Sequence, residues 1–436
     1  MTRGCCAFAV LVLLSSFASA ENWAQWRGPA FNGSSPEKGL PAQFSRAEGV
    51  VWSTPMPGIG SATPILWGDK VFVSSLDAKT KDLVALCLDA ESGKVLWRKV
   101  AGKDRQPFVG NNNMATPSPV TDGRRVVFLY GTGDLVAFDY QGNVLWSRSL
   151  EKDLAGTFII KFGYSSSPLL LGGRLYVLLL QNTNPSKYRP SDQQGPFSSY
   201  LLAIDPENGR DLWRHVRPSN AFDESLETYA TPLPVTSQGR TDIVVPGGDA
   251  VTGHDPATGA ELWRWRYNLE RLNLWRLIPS VVPGDDLLYF PLPRGNPLYA
   301  IRAGGKGNLT GADIAWTFMG QTTDAATPLC YDGRVYVLNG DKRTLICLDA
   351  KTGDKKWEAP LGVDSVLRGS PTGADGKVYL ISEGGQVIIL AAGDEFKILS
   401  RTTLGEGPCR SSIAVSGGRL FIRTAQNLYC VSASPK

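Results

Sequence analysis

The sequence predicts an all-β protein built from repeated units, and three observations lead to this prediction. Short apolar runs rich in β-branched and aromatic residues alternate with turn residues along the 436-residue chain. One motif recurs at intervals of 41 to 67 residues. We find no stretch of useful length with the 3.6-residue apolar period of a helix. Repeats of this length, with four short strands each, are typical of the blades of a β-propeller.

Each repeat has the same order of features. It begins with a small residue, Ser or Thr and proline, and continues through two apolar strands separated by a Gly-Asp or Asp-Gly turn. It then closes on Asp-x-x-Thr/Ser-Gly-x-x-x-Trp, where the aspartate can bond the turn amides and the glycine takes a positive φ. In two degenerate copies, Ser280 and Ile413 stand at the proline position. The other copies begin at Ser61, Ala115, Ser166, Ala230, Ala325 and Gly369.

The tryptophan that ends the motif is predicted to be structural. It opens the outermost strand of its blade, where the ring can pack between neighbouring blades. A further tryptophan stands in the N-terminal stretch Gly49–Trp52, 45 residues before the next one. These signature residues are Trp52, Trp97, Trp146, Trp213, Trp263, Trp316 and Trp357.

The two ends of the repeat region complement each other. Seven repeats are complete or nearly so, and the eighth, from Arg410 to Val431, ends after about three strands. The N-terminal strand is therefore expected to supply the outer strand of the last blade, which removes exposed sheet edges. Residues 50–436 then form a single eight-bladed propeller. A seven-bladed ring with one stray repeat is the alternative.

The N-terminus is typical of an exported protein. Arg3 precedes the apolar run from Ala7 to Leu14, and Ala18-Ser19-Ala20 is a small-x-small cleavage site. We predict a signal peptide over 1–20 with cleavage after Ala20, a lead-in over 21–49 and a periplasmic or secreted location. A buried N-terminal strand is the alternative. No later run of eighteen apolar residues follows, so a stable membrane anchor is not expected.

Composition limits the classes of partner. The formal net charge of +4 is small, and the charged residues of both signs are evenly mixed along the chain, so we expect no nucleic-acid partner. We also expect a monomer.

The five cysteines after residue 20 do not form a disulfide framework. The pairs Cys330/Cys347 and Cys409/Cys430 can form disulfides or simply fill strand positions. The polar stretch 181–199 is predicted to be a surface insertion.

These motifs resemble the pyrroloquinoline-quinone (PQQ) repeat β-propellers. The resemblance rests on the repeated Ala-x-Asp-x-x-Thr/Ser-Gly-x-x-x-Trp signature and covers nearly all of the chain after residue 20. The superfamily of these propellers has two well-known branches, the quinoprotein alcohol dehydrogenases and a non-enzymatic scaffold of outer-membrane assembly. The opening W-A-Q-W-R-G-P of residues 23–29 also looks like the lead-in of exported PQQ-like repeat proteins. A fold of this kind does not by itself define an activity.

The dehydrogenase branch implies a recognisable catalytic set. It uses two adjacent cysteines above the quinone, a tryptophan below it, and Glu, Asn and Asp around a calcium ion that polarises the quinone carbonyl. The only adjacent cysteines here, Cys5 and Cys6, lie in the predicted signal peptide. We therefore expect no catalytic residues and no metal ligands. PQQ with calcium is kept as the alternative cofactor assignment.

The channel mouth is the expected ligand site of a propeller, because the residues before each innermost strand point there. Arg368 and Arg410 occupy equivalent positions of adjacent blades and are expected to lie close together, with Asp324, Glu227 and Glu224 as carboxylate partners. An anionic or aromatic ligand pocket is one interpretation, and an Arg–carboxylate ring that plugs the channel is the other. The predicted ligand-binding residues are Arg368, Arg410, Arg276, Asp324, Tyr164, Tyr229 and Asn113.

The sequence thus favours a non-catalytic binding or scaffold module for a protein partner or a small anionic ligand. A PQQ- and calcium-dependent oxidoreductase is the alternative from a different class. A carbohydrate-binding propeller is a further alternative.

Overall fold

A computed structural model describes residues 21–104, 112–153, 162–182 and 198–433. The predicted signal peptide, 1–20, lies outside the described residues, as does most of the predicted insertion, 183–197. The strands form eight sheets of four or five strands, each one blade of a β-propeller. The predicted all-β, eight-bladed fold is confirmed, and the seven-bladed alternative is wrong.

Blades 1 to 4 follow one another along the chain after an initial strand, β1 (Val50–Pro55). Their strands are, in blade 1, β2 (Gly58–Ile59), β3 (Ile65–Trp67), β4 (Lys70–Asp77), β5 (Asp82–Asp89) and β6 (Val95–Lys103); in blade 2, β7 (Val120–Thr121), β8 (Arg125–Leu129), β9 (Asp134–Asp139) and β10 (Val144–Ser149); in blade 3, β11 (Leu169–Leu171), β12 (Arg174–Leu179), β13 (Tyr200–Ile204) and β14 (Asp211–Val216); and in blade 4, β15 (Leu233–Ser237), β16 (Arg240–Gly247), β17 (Ala250–His254) and β18 (Glu261–Arg266).

Blades 5 to 8 continue the same antiparallel pattern. Their strands are, in blade 5, β19 (Val282–Pro283), β20 (Leu287–Pro291), β21 (Leu298–Arg302) and β23 (Ile314–Phe318), with β22 (Gly307–Asn308) added in parallel to β18 of blade 4; in blade 6, β24 (Leu329–Tyr331), β25 (Arg334–Asn339), β26 (Thr344–Asp349) and β27 (Lys355–Pro360); in blade 7, β28 (Thr372–Ala374), β29 (Lys377–Ile381), β30 (Gln386–Ala391) and β31 (Ile398–Thr403); and in blade 8, β32 (Ala414–Ser416), β33 (Arg419–Arg423) and β34 (Asn427–Ser432).

Helical segments occur only as short turns between strands in the part of the chain that the structure describes. No helix there is long and apolar enough to cross a membrane. The segments are one α-helix, α1 (Leu150–Asp153), and the 3₁₀ helices Asp223–Leu226, Pro293–Gly295 and Gly311–Asp313.

The ring closes as the sequence predicts. Strand β1 pairs antiparallel with β34, with Val50 opposite Val431 and Trp52 opposite Cys430. The outer strand of blade 8 therefore comes from the opposite end of the chain. This pairing gives the last blade its fourth strand, as in the other blades.

The signature tryptophans lie at the junctions between blades. Nε1 of Trp52 donates to the carbonyl of Ala90 in blade 1 at 3.0 Å. Its ring covers Gly93, where a Cβ atom would lie 2.5 Å from the ring at a φ of +71°. Five other rings cover or donate to the following blade in the same way: Trp97, Trp146, Trp213, Trp316 and Trp357.

Trp263 departs from this pattern. Its Nε1 donates to Oδ2 of Asp242 within blade 4 at 2.8 Å. The next blade has a longer loop, 303–313, in place of the Asp-x-x-Thr-Gly turn on which the other rings pack. The ring therefore turns inward, where Gly253 leaves room for it.

Both suggested disulfides are absent. Each of the five cysteines in the described residues is a free thiol. Cys330 lies opposite Val335, whereas Cys347 lies opposite the adjacent residue Tyr336. Because successive strand residues point to opposite faces, the two thiols lie on different faces of blade 6. The interpretation that cysteines fill buried strand positions agrees with this arrangement.

The second pair is separated within blade 8. Cys430 lies in the middle of β34, opposite Phe421 and Trp52. Cys409 precedes the innermost strand, and its thiol contacts the carbonyls of Gly405 and Glu406 at 3.8 and 3.7 Å.

Candidate functional site

A belt of hydroxyl groups fixes the innermost strands around the central channel. In each blade a serine or threonine stands two residues before the innermost strand. Its backbone N–H donates to the equivalent hydroxyl of the next blade at 2.8 to 3.0 Å, and seven such bonds run from blade 1 to blade 8. The hydroxyl belt consists of Thr63, Ser118, Ser167, Thr231, Ser280, Thr327, Ser370 and Ser412.

The belt corrects the predicted register in two blades. In blade 2 the residue directly before the innermost strand is Pro119, not Pro117, because Thr-Pro-Ser-Pro contains two prolines and only the second adjoins β7. In blade 5 that residue is Val281 rather than Ser280, since no proline marks the position. The residues equivalent to Arg368 in these blades are therefore Thr116 and Ile278.

The channel holds a pocket of about 420 Å³. Most of the hydroxyl belt lines it, and so does one residue from every blade at the position two before the belt. This corrected alignment therefore identifies the rim of the pocket completely. The rim residues are Ser61, Thr116, Ser165, Tyr229, Ile278, Ala325, Arg368 and Arg410.

The structure brings five of the seven predicted ligand-binding residues to this pocket and places two elsewhere. Arg276, Asp324, Arg368, Arg410 and Tyr229 line it. Because Tyr229 is buried and its hydroxyl donates to Oε2 of Glu227 at 2.7 Å, the pKa of Tyr229 lies well above its usual value. Its ring nevertheless reaches the pocket wall.

Asn113 and Tyr164 do not line the pocket. Nδ2 of Asn113 donates to Oγ of the rim residue Ser61 at 2.8 Å, so this amide supports the rim from behind. Tyr164 is 1% exposed and packs in the core between blades 2 and 3, where burial raises its pKa. Tyr164 directly precedes the rim residue Ser165, and its side chain points into the blade because successive side chains of an extended chain point in opposite directions.

The rim arginines are paired with carboxylates that the sequence did not indicate. Nε of Arg410 donates to Oε1 of Glu383 at 2.7 Å, and Nη2 of Arg368 lies 2.7 Å from Oδ1 of Asp341. Both carboxylates stand two residues after the second strand of the preceding blade. The partners predicted for these arginines were wrong because each guanidinium reaches back to the adjacent blade.

The predicted carboxylates form a second cluster around Arg276. Its Nη1 lies 3.3 Å from Oε1 of Glu224, and its Nη2 lies 3.8 Å from Oδ2 of Asp324. Its guanidinium also lies 5.6 Å from the ring centre of Phe162, within cation–π range. The third predicted partner, Glu227, accepts from Tyr229 instead.

The N-terminal lead-in forms the floor of the pocket. Trp26 lines the pocket, and the neighbouring Arg27 is buried, donating to the carbonyls of Pro371 at 2.9 Å and Pro328 at 2.6 Å. These prolines directly precede the innermost strands of blades 7 and 6. The lead-in therefore crosses the channel beyond the belt, on the side away from the rim, and leaves the pocket open at the rim.

Arg27 holds this crossing together through backbone carbonyls, and no carboxylate of the described residues is paired with it. Its Nη2 also donates to the carbonyl of Asn32, and burial lowers the pKa of Arg27 to about 9. Gly33 is required beside it, since a Cβ there would lie 2.0 Å from the guanidinium at a φ of +89°. Backbone bonds of the lead-in to Thr121 and Gly373 extend the contact to blades 2 and 7.

An exposed apolar patch lies beside the rim. Its residues belong to the loops that lead to the innermost strands of blades 4, 5 and 6, on the same face as the pocket mouth. Arg271 lies 5.6 Å from the ring centre of Phe222, and Oγ of Ser225 donates to the carbonyl of Leu272 at 2.7 Å, which joins the first two loops. The rim patch consists of Phe222, Leu269, Leu272, Leu274 and Met319, from 38% to 76% exposed.

The sequence also matches a known family over most of its length. The family described as "Outer membrane protein assembly factor BamB" matches residues 43–188, 197–315 and 307–395. The chain belongs to this family. Its members are PQQ-repeat propellers, and the match includes at least one strand of every blade, since β1 of blade 8 lies within it.

Solved structures agree on the fold. BamB of Moraxella catarrhalis is 15% identical with a TM-score of 0.59, over 88% of this chain and 99% of that chain. The quinohemoprotein alcohol dehydrogenase of Comamonas testosteroni is 13% identical with a TM-score of 0.71, over 95% of this chain and 81% of that chain. At these identities the likeness establishes the propeller fold alone.

A curated relative is named for an enzyme. The polyvinylalcohol dehydrogenase of Sphingopyxis sp. (strain 113P3) is 24% identical over 396 residues, which are 83% of this chain and 54% of that protein. The chain thus spans about half the length of this relative. This BamB-family propeller is therefore related both to an assembly factor and to dehydrogenases.

The pocket residues do not fit the quinone and calcium set of the dehydrogenase branch. Calcium takes six to eight oxygen ligands, usually with several carboxylates. The two carboxylates that line this pocket, Asp324 and Glu383, each lie within ion-pair distance of an arginine. In the described residues no three His, Cys, Asp or Glu side chains gather as a metal site requires.

Proposed function

We propose that this protein is an exported, monomeric and non-catalytic binding module whose channel pocket takes a small anionic ligand. The observation that carries the proposal is the arrangement of Arg276, Arg368 and Arg410 around one pocket that is open at the rim and closed by Trp26. A floor and a charged rim define a site that a ligand can enter from one side.

The chemistry of the lining favours an anion. Three arginines line the pocket, each within ion-pair distance of a carboxylate, so the lining offers several guanidinium donors without a net positive charge. The hydroxyl belt adds donors, because a hydroxyl that accepts an N–H keeps its own proton to donate. Planar guanidinium groups suit carboxylates in particular. The rings of Trp26, Phe162 and Tyr229 offer apolar faces to the body of the same ligand.

Calorimetric titration tests the proposal directly. Citrate and PQQ are used as tricarboxylate probes, and trimethyl citrate is the uncharged control. We expect saturable binding of at least one tricarboxylate, weakened by added salt, and no binding of the ester. Equal behaviour of citrate and its ester would contradict an anion site.

A second candidate function is protein docking on the rim patch. The patch supports it because exposed apolar side chains on neighbouring loops of one face are typical of interaction surfaces. Membership of a family described as an assembly factor supports it as well. A photo-crosslinking residue at Leu269 is expected to capture a protein in cells, whereas the same residue at Val144, exposed on the outer strand of blade 2, is expected to capture none.

An oxidoreductase that uses PQQ and calcium is a third candidate, supported by the name of the curated relative. The donor set of the pocket argues against it. Dye-linked oxidation of polyvinyl alcohol or simple alcohols after loading with PQQ and calcium would establish this function. Binding of PQQ that is independent of calcium, without turnover, would favour the binding module.

A further inference from the structure

Glu21, the first residue after the predicted cleavage site, is held against blade 8 by hydrogen bonds of its backbone. Its backbone nitrogen donates to Oε1 of Glu37 at 2.7 Å, and its carbonyl accepts from Oγ of Ser416 at 2.8 Å. The same Glu37 carboxylate accepts the backbone N–H groups of Gly417 at 3.1 Å and Gly418 at 2.9 Å. A half-buried carboxylate is thus held on the β32–β33 hairpin with one oxygen directed at the Glu21 nitrogen.

We propose that this carboxylate is the binding site for the amino terminus produced by export. Hydrolysis of the Ala20–Glu21 peptide bond by a signal peptidase consumes one water, leaves a carboxylate on Ala20 and frees the amine of Glu21. With an ordinary pKa near 8, the amine takes up a proton at neutral pH. The single N–H that Glu37 accepts then becomes an ammonium group with three donors and a positive charge.

The ion pair would anchor the floor of the pocket. Glu21 lies five residues before Trp26, and Asn22 and Trp23 are fixed between them. Oδ1 of Asn22 accepts the N–H of Gly68 at 2.8 Å, and Trp23 is 1% exposed in the core. Clamping Glu21 to blade 8 shortens the free span of the lead-in to a few ordered residues. Export processing therefore completes the channel floor.

The proposed site requires that the signal peptide is cleaved after Ala20 and that the lead-in forms the floor of the pocket. It rests on the proposed function only in that the floor belongs to the proposed ligand pocket. Its stability effect is expected to be modest, because the pair is half-buried and partly screened. The contribution of the ion pair is isolated best by removing the charge of Glu37 and the free amine of Glu21 separately and together.

Four proteins provide the test: the chain beginning at Glu21 and the chain that retains Ser19-Ala20, each with Glu37 or with Glu37→Gln. Glutamine keeps an acceptor oxygen but removes the charge. We expect Glu37→Gln to lower the melting temperature by about 1–2 °C more in the chain that begins at Glu21 than in the extended chain. The matched control is Glu91→Gln, which removes a carboxylate paired with Arg419 and is expected to act equally on both chains.

Equal effects of Glu37→Gln on both chains would overturn the inference, and so would an exported protein whose mass shows that it begins at a residue other than Glu21. Acrylamide quenching of tryptophan fluorescence gives an independent readout. It should increase when Ser19-Ala20 is retained, because the floor loosens. Citrate binding is measured on all four proteins. Coupling without any citrate binding would support the amino-terminal site and contradict the proposed function.

Discussion

Nε of Arg410 donates to Oε1 of Glu383 at 2.7 Å and joins blades 8 and 7 across the rim of the channel. Arg368 and Asp341 repeat this relationship one blade earlier. The arginine side chains are 20% and 32% exposed, so solvent screens both pairs. These contacts contribute little to stability, and they hold two guanidinium groups at one pocket.

The first prediction concerns these two arginines. Arg368→Ala and Arg410→Ala together are expected to weaken binding of a tricarboxylate at least tenfold, since each removes a charge-assisted contact. The melting temperature is expected to change little, because solvent-screened pairs contribute about 0–1 kcal/mol. Isothermal titration calorimetry measures the affinity, and differential scanning calorimetry on the same preparations measures the melting temperature.

Arg334→Ala is the matched control for this variant. Arg334 pairs with Asp394 at 2.8 Å and does not line the pocket. It should leave ligand binding unchanged. A large loss of stability in the Arg368/Arg410 variant would instead support an Arg–carboxylate ring whose role is structural.

The second prediction tests the packing between blades. Gly93 and Gly239 both have positive φ, +71° and +78°, but only Gly93 lies under a tryptophan ring, that of Trp52. Substitution by alanine costs roughly 1–2 kcal/mol at either site for the backbone conformation. Gly93→Ala should cost about 1–3 kcal/mol more because its Cβ meets the ring. Equal free energies of unfolding in urea would show that ring contact at this junction is unimportant.

The third prediction concerns pH. Burial lowers the pKa of His254 to about 3, while its ring contacts Oγ1 of Thr252 at 2.9 Å and the carbonyl of Gly259 at 3.1 Å. In the unfolded chain the pKa is about 6.5. Between these values the unfolded state binds the proton and the folded state does not, so stability falls as pH decreases. His254 should account for about 2 kcal/mol of stability lost from pH 7 to pH 5.

His254→Asn tests this assignment. The variant should be less stable at pH 7 because a buried ring is lost, yet its free energy of unfolding should change less between pH 7 and pH 5 than that of the wild type. Urea titrations at both pH values measure the difference. An unchanged pH dependence would assign the acid sensitivity to other groups.

The fourth prediction concerns the thiols. Burial raises the pKa of Cys347 and Cys430 to about 12, which keeps these thiols protonated and unreactive. We expect a thiol reagent to label the folded chain slowly and all five thiols after denaturation without reductant. Fewer than five labels in the denatured exported protein, counted by mass spectrometry, would indicate a disulfide and contradict the separation of Cys330 from Cys347.

The fold could be predicted because each blade repeats its own signals. Strand residues, turn glycines and the closing tryptophan lie within one repeat, and Trp52 marks the missing strand of blade 8 locally. The predicted alignment of the innermost strands was wrong in the two blades where this local signal was ambiguous. Two prolines flank Ser118, and no proline directly follows Ser280, so the rim residues Thr116 and Ile278 were missed. The regular Ser/Thr of the hydroxyl belt is the signal that identifies them.

The remaining site residues depend on contacts between distant parts of the chain. Glu383 and Asp341 follow a second strand, a position that the alignment of innermost strands did not include. Trp26 and Arg27 belong to the non-repeated lead-in, and Arg27 contacts Pro371 and Pro328 more than 300 residues away. No periodicity indicates such a crossing. Only the resemblance of the W-A-Q-W-R-G-P stretch to other lead-ins drew attention to it.

The measurement that tests the central claim most directly is a crystal structure of the protein grown with citrate. We predict electron density for citrate inside the channel, with carboxylates at Arg368 and Arg410 and the body of the ligand towards Trp26. The same density should be missing from crystals of the Arg368→Ala/Arg410→Ala variant. An empty channel in the wild-type crystal at saturating citrate, or citrate bound only on the outer surface, would contradict the proposed site.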